Sequence, residues 1–463
     1  MRVPYSGYLA TNKRGLRRLV RRLAQEYAYA SLLATDCCGT RYEARRGEVS
    51  VRDSRWNERG CVVRVHDGVG YREASCNQPP APAELQALLA GGGGDRLSYP
   101  VPRPEPLRRR WRGRVGLLPA RVPMQTRVGR LAALRDRAFS MCPDLVDIRV
   151  VYEGVTVCKL FLSAGRELEQ AYHWSQGYLT PVVRRDGVTR YSNELFSGLK
   201  GVELLDEMAA ALPKALANAE ELLAAGRVAP GEHEVILAPE IAGLLAHEAF
   251  GHGVELDMFV KGRARAAAYL GRPVASELVT LRDGARAVAQ VGSYWFDDEG
   301  VLGGDTLIVE RGVFRSGISD LLSAQRLGTP PTGHGRRESF ERKAYARMAN
   351  TFFAGGTDRL EDMIASIRHG YLLEKFESGM EDPRGWGLQG IVLYGREITA
   401  GRLTGRLVAP VIMTGYVPDV LGSVSAVSER VELSGTGMCG KGHKEYVKNS
   451  MGGPYLKCRL RLG

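Results

Sequence analysis

Two histidines flank a glutamate in the stretch His247-Glu248-Ala249-Phe250-Gly251-His252. Imidazole nitrogens bind zinc, and a carboxylate beside them can take a proton from water, so the residue types point to metal-assisted hydrolysis. The familiar arrangement of this chemistry is His-Glu-x-x-His, with both rings on one helix face. Here the separation is five. At about 100° per residue the two rings would point about 140° apart on a regular helix. They can share one metal only if the helix widens or ends between them. Gly251 and Gly253 supply that freedom, which predicts a π-bulge or a break after Phe250. Glu248 is the candidate general base.

The stretch that carries these groups reads as a helix. Ile241, Leu244, Leu245 and Phe250 fall at helical spacings, and Glu240 suits the positive end of the helix dipole. Beyond a boundary at Gly226–Gly231 most of the sequence is strand-like. The expected strands are His233–Leu237, Glu277–Leu281, Val288–Val291, Leu307–Arg315, Gly390–Leu393, Leu407–Ile412 and the stretch before Cys439, with a second helix at Asp358–His369. Ahead of that boundary the pattern is mixed. An amphipathic helix carries Leu16, Leu19, Val20, Leu23 and Tyr27 on one stripe. Strand-like runs follow at Tyr29–Ala34 and Cys61–His66. A short helix, Ala83–Ala90, ends in Gly91–Gly94, and Leu97–Pro106 is Pro-rich and extended. After helix Arg127–Phe139 come two expected hairpins. One runs Ile148–Tyr152 and Val155–Leu162 with its turn at Glu153-Gly154. The other turns at Asp186-Gly187. Helix Glu203–Ala225 contains Pro213, which predicts a kink or two shorter helices. The expected fold class is α+β, with a mixed α/β N-terminal domain, 1–226, and a β-rich C-terminal domain, 227–463, that carries the metal-binding helix.

Composition bounds the function class. The chain has 463 residues, ordinary apolar and charged fractions, and no apolar run of membrane-spanning length. Met1–Arg22 is Arg-rich without a signal-peptide core, so the expected location is the cytoplasm, with its eight cysteines reduced. Residues 1–140 hold 27 Lys/Arg against 12 Asp/Glu, and the net charge of the whole is +12. That excess would suit an acidic partner, but no nucleic-acid fold motif accompanies it, even at Arg108-Arg109-Arg110-Trp111-Arg112.

Several stretches, in order, resemble the TldD/PmbA family of metallopeptidases, also called the modulator of DNA gyrase family. They are His247–Glu255, Asp297-Asp298-Glu299-Gly300, Thr332–Ser339, Arg347-Met348-Ala349-Asn350-Thr351 and Met438-Cys439-Gly440-Lys441. The resemblance covers residues 230–445 and is weaker before them, where Gly60–Tyr71 looks like a family strand pair. The Arg-rich segment 103–137 is less family-like, and 91–125 is atypical.

The resemblance implies a zinc enzyme with His247, His252 and Cys439 as ligands and Glu248 as base. Two imidazoles and one thiolate leave a fourth tetrahedral position for water, the composition of a catalytic rather than a structural site. Glu255, Asp257 and Cys458 are rival third ligands. Arg336, Arg337 and His334 sit in a family-like stretch, either lining the site or forming a structural turn. The implied substrates are short or unfolded peptides, including precursor peptides, gripped by adding a strand to a sheet edge. The implied assembly is a homodimer, or a heterodimer with a related subunit lacking the zinc motif. The alternative is a non-catalytic or regulatory member. It would have a basic partner-binding surface, or a structural zinc closed by a fourth ligand such as His443.

Overall fold

A computed structural model of the chain describes residues 1–91, 98–442 and 445–463. The glycines 92–94, Leu97 and His443, singled out above, lie outside the described residues. Two long neighbouring strands, Leu145–Ser163 and Arg166–Arg185, form the spine of the first sheet. Its order is Tyr71–Cys76, Glu58–His66, Tyr29–Ala44, Leu145–Ser163, Arg166–Arg185 and Leu107–Arg112. The period-two alternation of a strand decides what each face meets. Ile148, Val150 and Tyr152 pack on helices Met124–Met141 and Leu204–Glu221. Cys158, Leu160 and Leu162, on the same face, pack on helix Gly7–Glu26. Val155, Val157 and Phe161, on the other face, meet Ala285, Val291, Tyr294 and Phe296 of the second half of the chain.

One expectation fails in this sheet. The hairpin with its turn at Glu153-Gly154 is absent, and a single strand runs through from Leu145 to Ser163. Glu153 is buried. Its carboxylate accepts from Ser54 Oγ at 2.7 Å and from Gln176, and lies 3.5 Å from Arg41. A Cβ on Gly154 would come within 3.0 Å of Tyr152 Oη and His173 Nε2. The dipeptide that reads as a turn is a buried ion site next to a close approach. The hairpin at Asp186-Gly187 is present, with both residues at positive φ. Pro213 does not divide its helix, which runs from Leu204 to Glu221 and ends in a 3-10 turn. The basic run Leu107–Arg112 becomes an edge strand, where Arg108, Arg110 and Arg112 pair with Glu167 and Glu169.

The second half holds a closed ring of strands. Gly231–Leu237 pairs in parallel with His369–Glu381 and antiparallel with Leu456–Leu462. Gly387–Thr399 and Val411–Tyr416 complete the circuit. A six-stranded sheet lies beside it, containing Leu281–Asp283, Asn350–Phe353 and Ser450–Gly453. Of the strands expected at 277–281 and 288–291, only Leu281–Asp283 forms. The second stretch is irregular, and Val291 is buried against the first sheet from a turn. The helix expected at 358–369 shortens to Leu360–Ala365, because a ring strand begins at His369. The class is α+β, with helices and sheet mixed in the first half and sheet dominant in the second. Among the described residues no helix is long and apolar enough to cross a membrane.

Candidate metal centre

Helix Pro239–Leu245 opens with proline at its first turn, where a missing N–H costs nothing. It lies against the ring and the six-stranded sheet, with Ile241, Leu244 and Leu245 in the shared core. The contact with strand Ser450–Gly453 is close enough that a Cβ on Gly243 would reach 2.5 Å from the Gly452 nitrogen. From Ala246 to Gly251 the helix widens into a π turn. The N–H of His252 donates to the carbonyl of His247, five residues back. Two features hold the wide turn in place. Phe250 is fully buried against Phe314, with ring centroids 5.4 Å apart, and such burial contributes roughly 1.5–3 kcal/mol. Gly251 sits where any Cβ would collide with the Met348 sulfur.

The widened turn brings the histidine rings to 4.9 Å between centroids. Cys439, on strand Met438–Lys441, places its sulfur 3.5 Å from Nε2 of His252. One donor atom from each of His247, His252 and Cys439 lies within 4.8 Å of the others. Burial would push the Cys439 thiol up, but the His252 and His247 imidazoles override it and hold it well below its ordinary value. Thiolate is the form that ligates metal. Two imidazoles and a thiolate converging at this range fit a tetrahedral zinc ion with one place left over.

Side chains behind the cluster aim it, and none of these contacts is evident in the sequence. His247 Nδ1 is 3.1 Å from the Asn449 amide, and His252 Nδ1 is 3.3 Å from the Glu255 carboxylate. Lys441 Nζ holds Glu255 at 2.9 Å and Asp257 at 2.6 Å. Burial would raise the Glu255 carboxyl, but Lys441 and His252 hold it down to about 2. Arg347, fully buried, donates to the Cys439 carbonyl at 2.6 Å and to the Glu445 carbonyl at 3.2 Å, anchoring the cysteine's backbone. Glu255 and Asp257 therefore support the cluster rather than join it, and Cys458 is buried in the ring core. His334 is buried on Asp283 and Thr332, Arg336 donates to the Met348 and Lys448 carbonyls, and Arg337 pairs with Glu73. These three build the frame.

The cluster opens on a cleft of about 690 Å³. Glu248 lies on its wall, and an ideal Cβ on Gly379 would come 2.9 Å from Glu248 Cγ. Glu381 also faces the cleft with both carboxyl oxygens buried and, among the described residues, unpartnered. Burial pushes its pKa up to about 9.

Residues 230–460 match the family model described as the PmbA/TldA metallopeptidase C-terminal domain. The chain belongs to the TldD/PmbA family. A Methanocaldococcus jannaschii protein named a metalloprotease is 32% identical over 295 residues, 64% of this chain and 65% of that one. A Saccharolobus solfataricus protein named a zinc metalloprotease TldD homolog is 29% identical over 318 residues, 67% of this chain and 70% of its own length. The chain spans about half to two-thirds of the length of the first relatives it matches. A Thermotoga maritima structure described as a modulator of a DNA gyrase shares the fold, with a TM-score of 0.78 at 15% identity over 97% of this chain and 100% of that one. The TldD/PmbA match begins at residue 230, at the first strand of the ring, and includes all three clustered donors.

Proposed function

We propose that the chain is a zinc-dependent peptidase acting on short or unfolded peptides. His247, His252 and Cys439 would be the metal ligands and Glu248 the general base. The observation that carries this reading is the approach of three donors, drawn from positions 247, 252 and 439, to within 4.8 Å of one another. The names of the relatives, which describe those proteins as metalloproteases, support it.

When bound, zinc supplies Lewis acidity towards water and a peptide carbonyl. Glu248, adjacent to a ligand and facing the cleft, takes the proton of the attacking water and returns it to the leaving amine. Asn449 and Glu255 hold the imidazoles in orientation.

The substrate reading rests on a sheet edge. Strand His369–Glu381 pairs along one side with Gly387–Thr399, but on the other side with Gly231–Leu237 only through Gly370–Leu373. Past Leu373 that second side has no strand partner among the described residues. Gly379, Met380 and Glu381 then line the cleft beside Glu248. An extended peptide added there is held through its backbone, which accounts for broad side-chain acceptance.

The proposal includes an N-terminal domain at 1–226 and a C-terminal domain at 227–463, since every strand of the first sheet precedes Gly226. It also includes a paired assembly, with itself or with a related subunit lacking the zinc motif. Cytoplasmic residence is part of it too, supported by eight free cysteines.

The test is metal analysis together with hydrolysis of an unfolded-peptide mixture by wild type and Glu248→Gln. Zinc in both proteins with cleavage in wild type alone is the expected result. Equal cleavage by both removes Glu248 as the base, and a wild type that neither holds zinc nor cleaves removes the whole reading.

A further inference from the structure

Two further pockets border the cleft. A hollow of about 280 Å³ shares His247, Glu248 and Met438 with it. That hollow shares Gly437 and Met438 with a third pocket, of about 560 Å³, walled by both halves of the chain. Met438 touches all three, and it precedes Cys439.

The third pocket is rich in cationic side chains. Arg41, Arg52, Arg55, Arg149 and Lys448 line it, against Asp53 and Glu153. Glu153 is already engaged by Ser54, Gln176 and Arg41. Behind the wall, Glu43 takes Arg149 at 2.9 Å but stands 3.5 Å from Arg41 and 3.7 Å from Arg52. Arg41 Nε is buried and, among the described residues, has no hydrogen-bond partner. The Arg52 and Arg55 side chains are 62% and 45% exposed, and Arg55 has one carboxylate, Glu338, at 3.3 Å. Lys448 is buried on the Gly437 carbonyl and the Gln176 amide, with no carboxylate of the described residues in bonding range, and burial pushes its pKa down to about 7. Guanidinium forks match a carboxylate's two oxygens, and the pairing strengthens where water is excluded.

We propose that this pocket is a subsite for a carboxylate of the peptide whose scissile bond lies at the metal centre, either an Asp or Glu side chain or the C-terminal carboxylate. The identity of the ligand rests on the peptidase reading. The location rests on Met438, which lines both pockets and precedes Cys439.

The experiment is fluorescence anisotropy on the full chain carrying Glu248→Gln, at low salt. Three labelled peptides share one backbone sequence. The first has neutral Asn/Gln side chains and a C-terminal amide, the second has Asp/Glu side chains and the amide, and the third has neutral side chains and a free C-terminus. At least one carboxylate-bearing peptide should bind about tenfold tighter than the neutral amide, the scale of one hydrogen bond to a charged group. Whichever gains names the source of the carboxylate. In the further variant Arg52→Glu/Arg55→Glu the ratio should fall to near one. Equal affinities for all three peptides, no binding by any, or a ratio that survives the arginine changes overturns the proposal. Binding needs no turnover. A wild type that cleaves peptides without this preference loses only the subsite, while a preference without zinc-dependent cleavage loses only the peptidase.

Discussion

Asn449 lies 3.1 Å from Nδ1 of His247, a ring that is 202 positions away in the chain. If the other ring nitrogen holds a metal, Nδ1 carries the proton and has to donate it. Asn449 must then present its amide oxygen, which a half-turn of the amide provides. Asn449→Ala should therefore lower zinc affinity by about 10–100-fold, the usual scale for such support, while Asn449→Asp keeps the acceptor and the affinity. Competition titration with a chromogenic chelator reads both. An alanine variant that binds zinc as wild type does would show that Asn449 does not hold the ring.

Among the described residues, Lys441 is the one cation that bonds both Glu255 and Asp257. All three side chains are largely buried, at 11%, 2% and 9% exposure. Removing the cation leaves buried Glu255 with His252 and leaves Asp257 with Lys261, whose side chain is 44% exposed. Lys441→Met should destabilise the fold by about 3–5 kcal/mol, as breaking a buried pair does, and should also loosen His252, which leans on Glu255. Urea unfolding with zinc present and absent measures the two effects separately. An unchanged midpoint in both conditions would rule out the clamp.

How much of this was legible in the chain follows from which contacts are local. The π turn is one of two local possibilities, because a five-residue spacing with Gly251 inside it lets the rings share a metal only if the helix widens or breaks, and the His252-to-His247 backbone bond shows that it widens. Cys439 is not reachable from spacing and enters through the family resemblance. Arg347, Glu255 and Lys441 lie in the family-like stretches, but nothing there marks what they touch, and Asn449 carries no signal at all. Each acts across tens to hundreds of residues, and nothing near Asn449 in sequence marks it as a neighbour of His247. The turn wrongly read at Glu153-Gly154 has the same cause. Ser54 and Gln176 satisfy the glutamate from elsewhere, and a strand absorbs a dipeptide that locally favours a bend.

His173 gives the fold an acid limb of its own. It is buried between Thr156 Oγ1 at 2.9 Å and Ser175 Oγ at 3.3 Å, and burial lowers its pKa to about 4. The unfolded chain protonates the same ring near 6.5. The stability that depends on a neutral ring is therefore complete above about pH 6.5 and is lost as pH falls towards 4, by about 2–3 kcal/mol. Glu58, pushed up to about 7 by burial, works in the opposite direction in that window, so the informative quantity is a difference between proteins. Between pH 7 and 4.5, His173→Gln should lose about 2 kcal/mol less than wild type. Urea midpoints at the two pH values decide it, and parallel losses would count against a neutral buried ring.

Gly379 and Gly387 separate a packing requirement from a general effect of glycine replacement. An ideal Cβ at Gly379 would stand 2.7 Å from Leu244 Cδ1 and 2.9 Å from Glu248 Cγ, whereas nothing lies within 4 Å of one at Gly387 on the paired strand. Neither residue has positive φ, so alanine fits both backbones. Leu244 is fixed in the core, which leaves Glu248 as the group that must yield. A shift near 1 Å in a proton-transfer group costs about 100-fold in turnover. Gly379→Ala should keep its zinc and lose about one to two orders of magnitude in kcat, with KM changed less, while Gly387→Ala behaves as wild type. Equal kinetics for the two variants would mean that Glu248 is not confined against Gly379, and the wall of the cleft would then leave the base free to move.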